Sequence, residues 1–300
     1  RFFLLAVSIT SAFYNLMTRS KRNIVENACS NLIEEYGEIS RAHLLFIPIS
    51  IVASLINTVA LNKDRTSMLV ILCYAPSIVN ESYINLRTLA ISQRFTDIAI
   101  SVPKIKPSNA DRLLPSAMEA HRDCYKLVKM QNECHMLDYF LLSLTCLIRN
   151  IYIVISVFQD VKNGSVAFNT EYLIDMISTF IYFSTITGRF FMTCWSGTHL
   201  TDMSESCLES ALNYKFHHYG KLTQKSREMV DVFIHQLQER RVSSSAFGMF
   251  DLGLGTFTTF VEVTVTYAIV VVNTIGAKTV AQLASDSDNI TFTISTDNVI

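Results

Sequence analysis

The sequence predicts an all-α polytopic membrane helix bundle, and three observations carry that prediction. Several apolar runs of about 20 residues are long enough to cross a hydrocarbon core of ~30 Å as helices. Lys and Arg alternate between successive connections, as they do where one side faces the cytoplasm. The last run, Leu252 to Val272, carries hydroxyls at Thr256, Thr258, Thr259, Thr264 and Thr266, which marks a helix facing protein or water rather than lipid. The hydrophobic fraction of 50% and mean hydropathy of +0.29 are modest for this class, because two long polar connections, 93–136 and 195–251, dilute the average.

The spans follow in order. Phe2 to Met17 reads as the end of one, and 42–61, 68–91, 137–158, 172–194 and 252–272 are each long enough to cross. Six spans are visible. The sequence shows neither an initiator Met nor a signal peptide, so the expectation is that it begins inside a transmembrane helix and that one earlier helix is missing. The full-length form then has seven spans and an inside N-terminus. Residues 1–274 form one transmembrane domain. Residues 275–300, rich in Ser, Thr, Asp and Asn, are expected to be a flexible extracellular tail.

Orientation comes from the basic residues. One set of connections holds Arg19, Lys21, Arg22 and Arg41, then Arg94 to Lys129, then Lys215 to Arg241; the other holds only Lys63, Arg65, Lys162 and Lys278. The first set is therefore inside. Two sequons, at Asn163 and Asn289, fall on the outside and are the expected glycosylation sites, whereas a third at Asn80 lies mid-span and should stay unmodified.

Charges within the spans must face the bundle or snorkel, because each costs several kcal/mol against lipid. Arg87 and Arg189 lie near cytoplasmic ends and are expected to snorkel. Arg149 or Asp175 is expected to pair with Glu81 across the bundle. Tyr74, Asn80, Asn150, Tyr152, Tyr172, Asp175 and Tyr182 form the candidate ligand pocket, an outer cavity where aromatic rings and a few polar groups suit a small organic molecule.

Nothing points to an enzyme. The seven cysteines show no C-x-x-C pair, so neither a zinc site nor a disulfide framework is indicated, and no cofactor or metal is expected. His217, His218 and His235 read as a solvated face. No P-loop, dinucleotide fingerprint or nucleic-acid signature appears. Ser226 to Gln238 places Met229, Val232, Phe233 and Leu237 on one face, the pattern of a short amphipathic helix packed on the bundle base.

In the last span, Thr259, Thr266, Val270 and Asn273 recur at spacings of three, four or seven and share one helix face. Several copies of such a stripe could hydrate a cation and gate it by dewetting. The same spacing also fits hydroxyls that bond back to their own helix while it packs on a neighbour.

The Ser-rich approach ending Ala246-Phe247-Gly248, Thr266-Tyr267 followed by five apolar residues, and Tyr83-Ile84-Asn85-Leu86-Arg87 running into Arg94-Phe95 together resemble the insect gustatory receptors, seven-transmembrane chemoreceptors. Where that family has Gln-Phe after the apolar five, this chain has Asn273-Thr274. The resemblance implies a ligand-gated, non-selective cation channel of the cell membrane. It opens to a small-molecule tastant and assembles as a homotetramer, or as a hetero-oligomer with related receptors. It also implies a pore lined by the last helix, with its gate at Val270 and Asn273, and a cytoplasmic anchor between subunits. The alternatives are a polytopic secondary transporter, which calls for broken helices or an internal repeat, and a structural subunit that binds no ligand.

Overall fold

The computed structural model describes the backbone of residues 10, 14, 16–35, 66–162 and 170–294, and the side chains of these except 31–35, 66–78, 159–162, 170–172, 174, 175, 178, 182 and 275–294. It is an all-α bundle. The helices are α1 (Arg19–Glu35), α2 (Thr66–Ser101), α3 (Ala110–Lys162), α4 (Thr170–His218), α5 (Gln224–Glu239) and α6 (Leu254–Ile294). A two-stranded antiparallel hairpin, β1 (Ser245–Ala246) and β2 (Phe250–Asp251), lies between α5 and α6.

The expected spans at 68–91, 137–158 and 172–194 fall inside helices, 252–272 does so from Leu254 onward, and 42–61 and most of 2–17 lie outside the described residues. The two polar connections are not loops. With 53 residues α3 is about 80 Å long, and with 49 residues α4 is about 74 Å, more than twice a hydrocarbon core. Both spans therefore continue as helices well past the membrane at their basic ends. The break between α2 and α3 falls at Pro103 and Pro107, where a missing N–H and restricted φ stop a helix, leaving two short 3-10 turns. Beyond the last expected span, the backbone of α6 stays helical through Ile294. Ala277 to Ala284 supplies good helix formers with no proline, so backbone propensity continues the helix after the apolar run ends.

α5 is the predicted amphipathic helix, with Thr223 as its N-cap accepting from the Ser226 amide at 3.1 Å. Its buried face is Val230, Phe233, Ile234 and Leu237; Val232 points to solvent. Val232 lies about 140° from Leu237 at 100° per residue, too far round the helix for one face to hold both.

Two cores result. The larger, at the basic end, joins residues of α1 to α5 such as Phe95, Leu114, Leu200, Tyr214 and Phe233. The smaller, at the span level, gathers Ile84, Tyr139, Ile186, Phe190, Leu252 and Phe260. Among the described residues α2 and α4 form the most extensive helix pair, and α6 packs most closely on α3 and α4.

Candidate functional site

Among the described residues the last helix packs on its own chain along one face. Phe260 is buried, and Phe257, Thr264, Ala268 and Val271 are half-buried, a set confined to about 80° of the helix circumference. Phe260 and Phe257 meet Phe190 of α4 with ring centroids 4.9 and 6.1 Å apart, and Phe257 meets Phe191 at 5.2 Å. Thr259, Thr266, Val270 and Asn273 are all exposed and lie about 150° round from that packed face. Tyr267 and the valines at 261, 263 and 265 are exposed as well. Among the described residues the membrane-length apolar stretch of this helix, Leu254–Thr274, is thus covered on one side and open on the other.

Several hydroxyls of that helix bond back to its own carbonyls. Thr259 donates to the Gly255 carbonyl at 3.0 Å, Thr264 to Phe260 at 2.9 Å, and Thr274 to Val270 at 2.7 Å. Back-bonding uses the hydroxyl proton and leaves its lone pairs available, so it does not separate packing from water-facing roles. Glu262 lies on the exposed side, beside the Thr266 and Asn273 edge of the stripe, with no hydrogen bond or ion pair among the described residues.

The start of α6 is fixed by a compact joint. Ala246-Phe247-Gly248 is the hairpin turn, with φ of 56° at Phe247 and 67° at Gly248. The left-handed region suits Gly248 and is unusual for Phe247, whose ring is held edge-on by Phe140 at 5.9 Å. Asn132 of α3 donates to the Ser243 carbonyl at 2.7 Å, and the Leu252 amide donates to Ser244 at 2.7 Å. Gly253 precedes α6 and has no side chain with which to cap it. Thr198 of α4 takes that role, accepting from the Leu254 amide at 2.8 Å.

The expected pocket residues do not share one cavity. Asn80 hydrogen-bonds Asp138 at 3.3 Å and Arg22 at 3.4 Å, while Asn150, twelve residues or about 18 Å further along α3, is buried against Thr187 at 3.3 Å. Tyr152 is exposed. The side chains of Tyr74, Tyr172, Asp175 and Tyr182 lie outside the described residues, as do Asn163 and the side chain of Asn289. Half-buried Asn80 and buried Asn150 instead bridge helices, each donating its side-chain amide to a partner on a neighbouring helix. A cleft of about 700 Å³ does open between the outer halves of α3 and α4, lined by Ile153, Val154, Val157, Phe158, Met176, Ile177, Thr179, Phe180 and Phe183. Its lining is apolar apart from the Thr179 hydroxyl. Ile153, Met176 and Phe183 directly follow Tyr152, Asp175 and Tyr182, but a choice of tyrosines, amides and a carboxylate passed over this apolar wall.

The buried charges are paired differently from the expectation. Glu81 pairs with Arg189, whose Nε is 3.0 Å from the carboxylate, and the side chain of Asp175 lies outside the described residues. Arg87 does not snorkel either. It is buried, donates to Glu26 of α1 at 2.9 Å, and lies 4.5 Å over the Tyr83 ring. Arg22 donates to Asp138 at 2.7 Å, and His135 faces the same oxygen at 3.1 Å. Helix-to-helix pairing removes the cost that would otherwise drive Arg87 and Arg189 to the interface.

At the basic end, burial lowers the His121 pKa to about 4, with the Arg240 charge adding to the shift; its ring sits between Phe95 and Phe233. Burial pushes the Cys124 and Cys207 thiols up to about 12. Among the described residues no group of three His, Cys, Asp or Glu side chains comes together as a metal site.

A sequence profile of the family described as 7tm Odorant receptor matches residues 153–265. That range runs from the α3 side of the cleft through α4, α5 and the joint into α6, taking in Thr259 and ending before Thr266, Val270 and Asn273. No curated protein matches the chain. Among solved structures, the insect olfactory receptor OR5 from Machilis hrabei is similar at 12% identity and a TM-score of 0.67, covering 89% of this chain and 78% of that one. The same receptor in complex with eugenol is similar at 11% identity and a TM-score of 0.55, covering 88% and 70%. At these identities the likeness is one of fold.

Proposed function

We propose that this chain is a member of the insect chemoreceptor superfamily of gustatory and odorant receptors, and that it is a ligand-gated, non-selective cation channel of the cell membrane that opens to a small tastant. The observation that carries this reading is the two-sided character of α6. One face is held by Phe190 and Phe191 of α4, and the opposite face presents Thr259, Thr266, Val270 and Asn273 away from the bundle. A single helix encloses no aqueous path, so the pore is built by several subunits, four in our reading, with these stripes around the axis. Val270 and Asn273 form its narrowest part. Partners in hetero-oligomers are related receptors.

Thr266-Tyr267 and Ala246-Phe247-Gly248 favour the gustatory over the odorant branch. The cleft between α3 and α4 favours a neutral, lipophilic ligand over a sugar, because an apolar wall leaves most sugar hydroxyls unpaired on desolvation. Eugenol, the ligand of the similar olfactory receptor, is of this chemical kind. Tyr172, Asp175 and Tyr182, on the same stretch of α4, and Tyr74 on α2 complete the proposed site. Asn163 and Asn289 are its proposed glycosylation sites.

Patch-clamp recording of the full-length protein in a ligand-naive cell tests the reading. Cation current evoked by lipophilic bitter compounds, and not by sugars, is the expected result. Electroneutral uptake without current would favour a carrier.

A further inference from the structure

We infer that α4 is the arm through which ligand occupancy reaches the pore helix, and that Gly197 and Thr198 are the joint at which it acts. The inference rests on the channel reading above.

Three observations carry it. First, α4 is one uninterrupted helix from Thr170 to His218, so the cleft wall at Met176 to Phe183 and the joint at Gly197-Thr198 belong to one rigid element, about 20–30 Å apart. Second, the joint is a fitted contact and not a brush. A Cβ on Gly197 would fall 1.9 Å from the Leu252 carbonyl oxygen, so the strand leading into α6 lies directly on the α4 backbone, where only glycine leaves room. One residue on, the Thr198 hydroxyl caps the first amide of α6 at 2.8 Å, and Gly253 approaches the same oxygen so closely that its own Cβ would lie 3.3 Å away. Third, α4 grips α6 again two turns higher, through Phe190 against Phe260. Two contacts on one face fix the tilt of α6 relative to α4. A shift of α4 must therefore move the start of α6 or break the cap.

Thr198 is a positioning residue: it touches neither ligand nor ion. Its hydroxyl supplies the N-terminal cap that Gly253 cannot, and the loss of one cap is equivalent to roughly a fivefold change in a conformational equilibrium. Gly197 sets the distance of closest approach.

The test uses the full-length protein carrying Val270→Cys, with the rate of modification by a charged, membrane-impermeant methanethiosulfonate reagent as readout. The native thiols in the described residues are buried and offer little background. Thr198→Val keeps the shape and removes the acceptor, and it is expected to change the rate about fivefold at unchanged surface expression. Thr198→Ser restores the acceptor and should return the rate to within twofold of the parent. Gly197→Ala is expected to change the rate at least as much; if that variant fails to reach the surface, the Thr198 pair decides alone. Rates within twofold of the parent in Thr198→Val overturn the joint while leaving the channel intact. If the thiol introduced by Val270→Cys stays unmodified in the parent under every condition, the pore reading itself falls, and the joint with it.

Discussion

At the residue scale the sharpest expectations fall on the exposed face of α6. Val270→Ser places a hydroxyl at the proposed constriction and lowers the barrier to wetting. It should give leak current without ligand in whole-cell recordings. Asn273→Ala should reach the surface normally but alter gating, because a small uncharged group costs little at a water-facing position. Glu262 is a second probe. A carboxylate left against hydrocarbon costs several kcal/mol, and this one has no partner among the described residues, so it must face water or a neighbouring subunit. An acidic ring near the cytoplasmic end of a pore concentrates cations. Glu262→Gln should therefore shift the reversal potential in dilution experiments towards weaker cation preference, at normal surface levels. An unchanged reversal potential would place Glu262 outside the ion path.

At the scale of elements, the spans were legible because apolar length is a local property, and α5 was legible because its apolar period survives in a polar segment. The basal halves of α3 and α4 were not. Their buried positions include Cys124, His121, Gln131, Cys207 and Ser204, small or polar residues that give no hydropathy signal, and only the tertiary core shows what they face. The partners of Arg87 and Arg189 were hidden for the same reason, since an ion pair between residues 108 positions apart leaves no local trace. Gly197 carried no signal at all until the chain that crosses it was in place.

The basal core also makes a pH prediction. His121 has a folded pKa of about 4 against an ordinary value near 6.5, so it is neutral in the folded protein throughout the physiological range. As pH falls below about 6.5, the unfolded chain takes up a proton that the folded chain refuses until about pH 4. Stability is then lost across that window and is insensitive to this group above it. Buried His135, also lowered chiefly by burial, acts in the same direction. Thermal unfolding in detergent should show a lower midpoint at pH 5 than at pH 7.5, and His121→Phe should flatten part of that slope. A slope unchanged in the variant would mean that His121 does not carry it.

For the whole molecule, the distribution of Lys and Arg places the α2–α3 and α4–α5–α6 connections in the cytosol and the far end of α6 outside. Epitope tags near Lys126 and near Asp286 should accordingly stain from opposite sides of an unpermeabilised cell, and staining of both from outside would reject the orientation. The central claim, that α6 lines an aqueous pore formed between subunits, is tested most directly by a cysteine scan of α6 from position 257 to 273, with current block by a charged thiol reagent as the measurement. Block is expected at 259, 266, 270 and 273 and not at 257, 260, 264, 268 and 271, a pattern of helical period opposite the face held by α4. Block on the α4-facing set instead, or at no position in channels that conduct, would contradict the account.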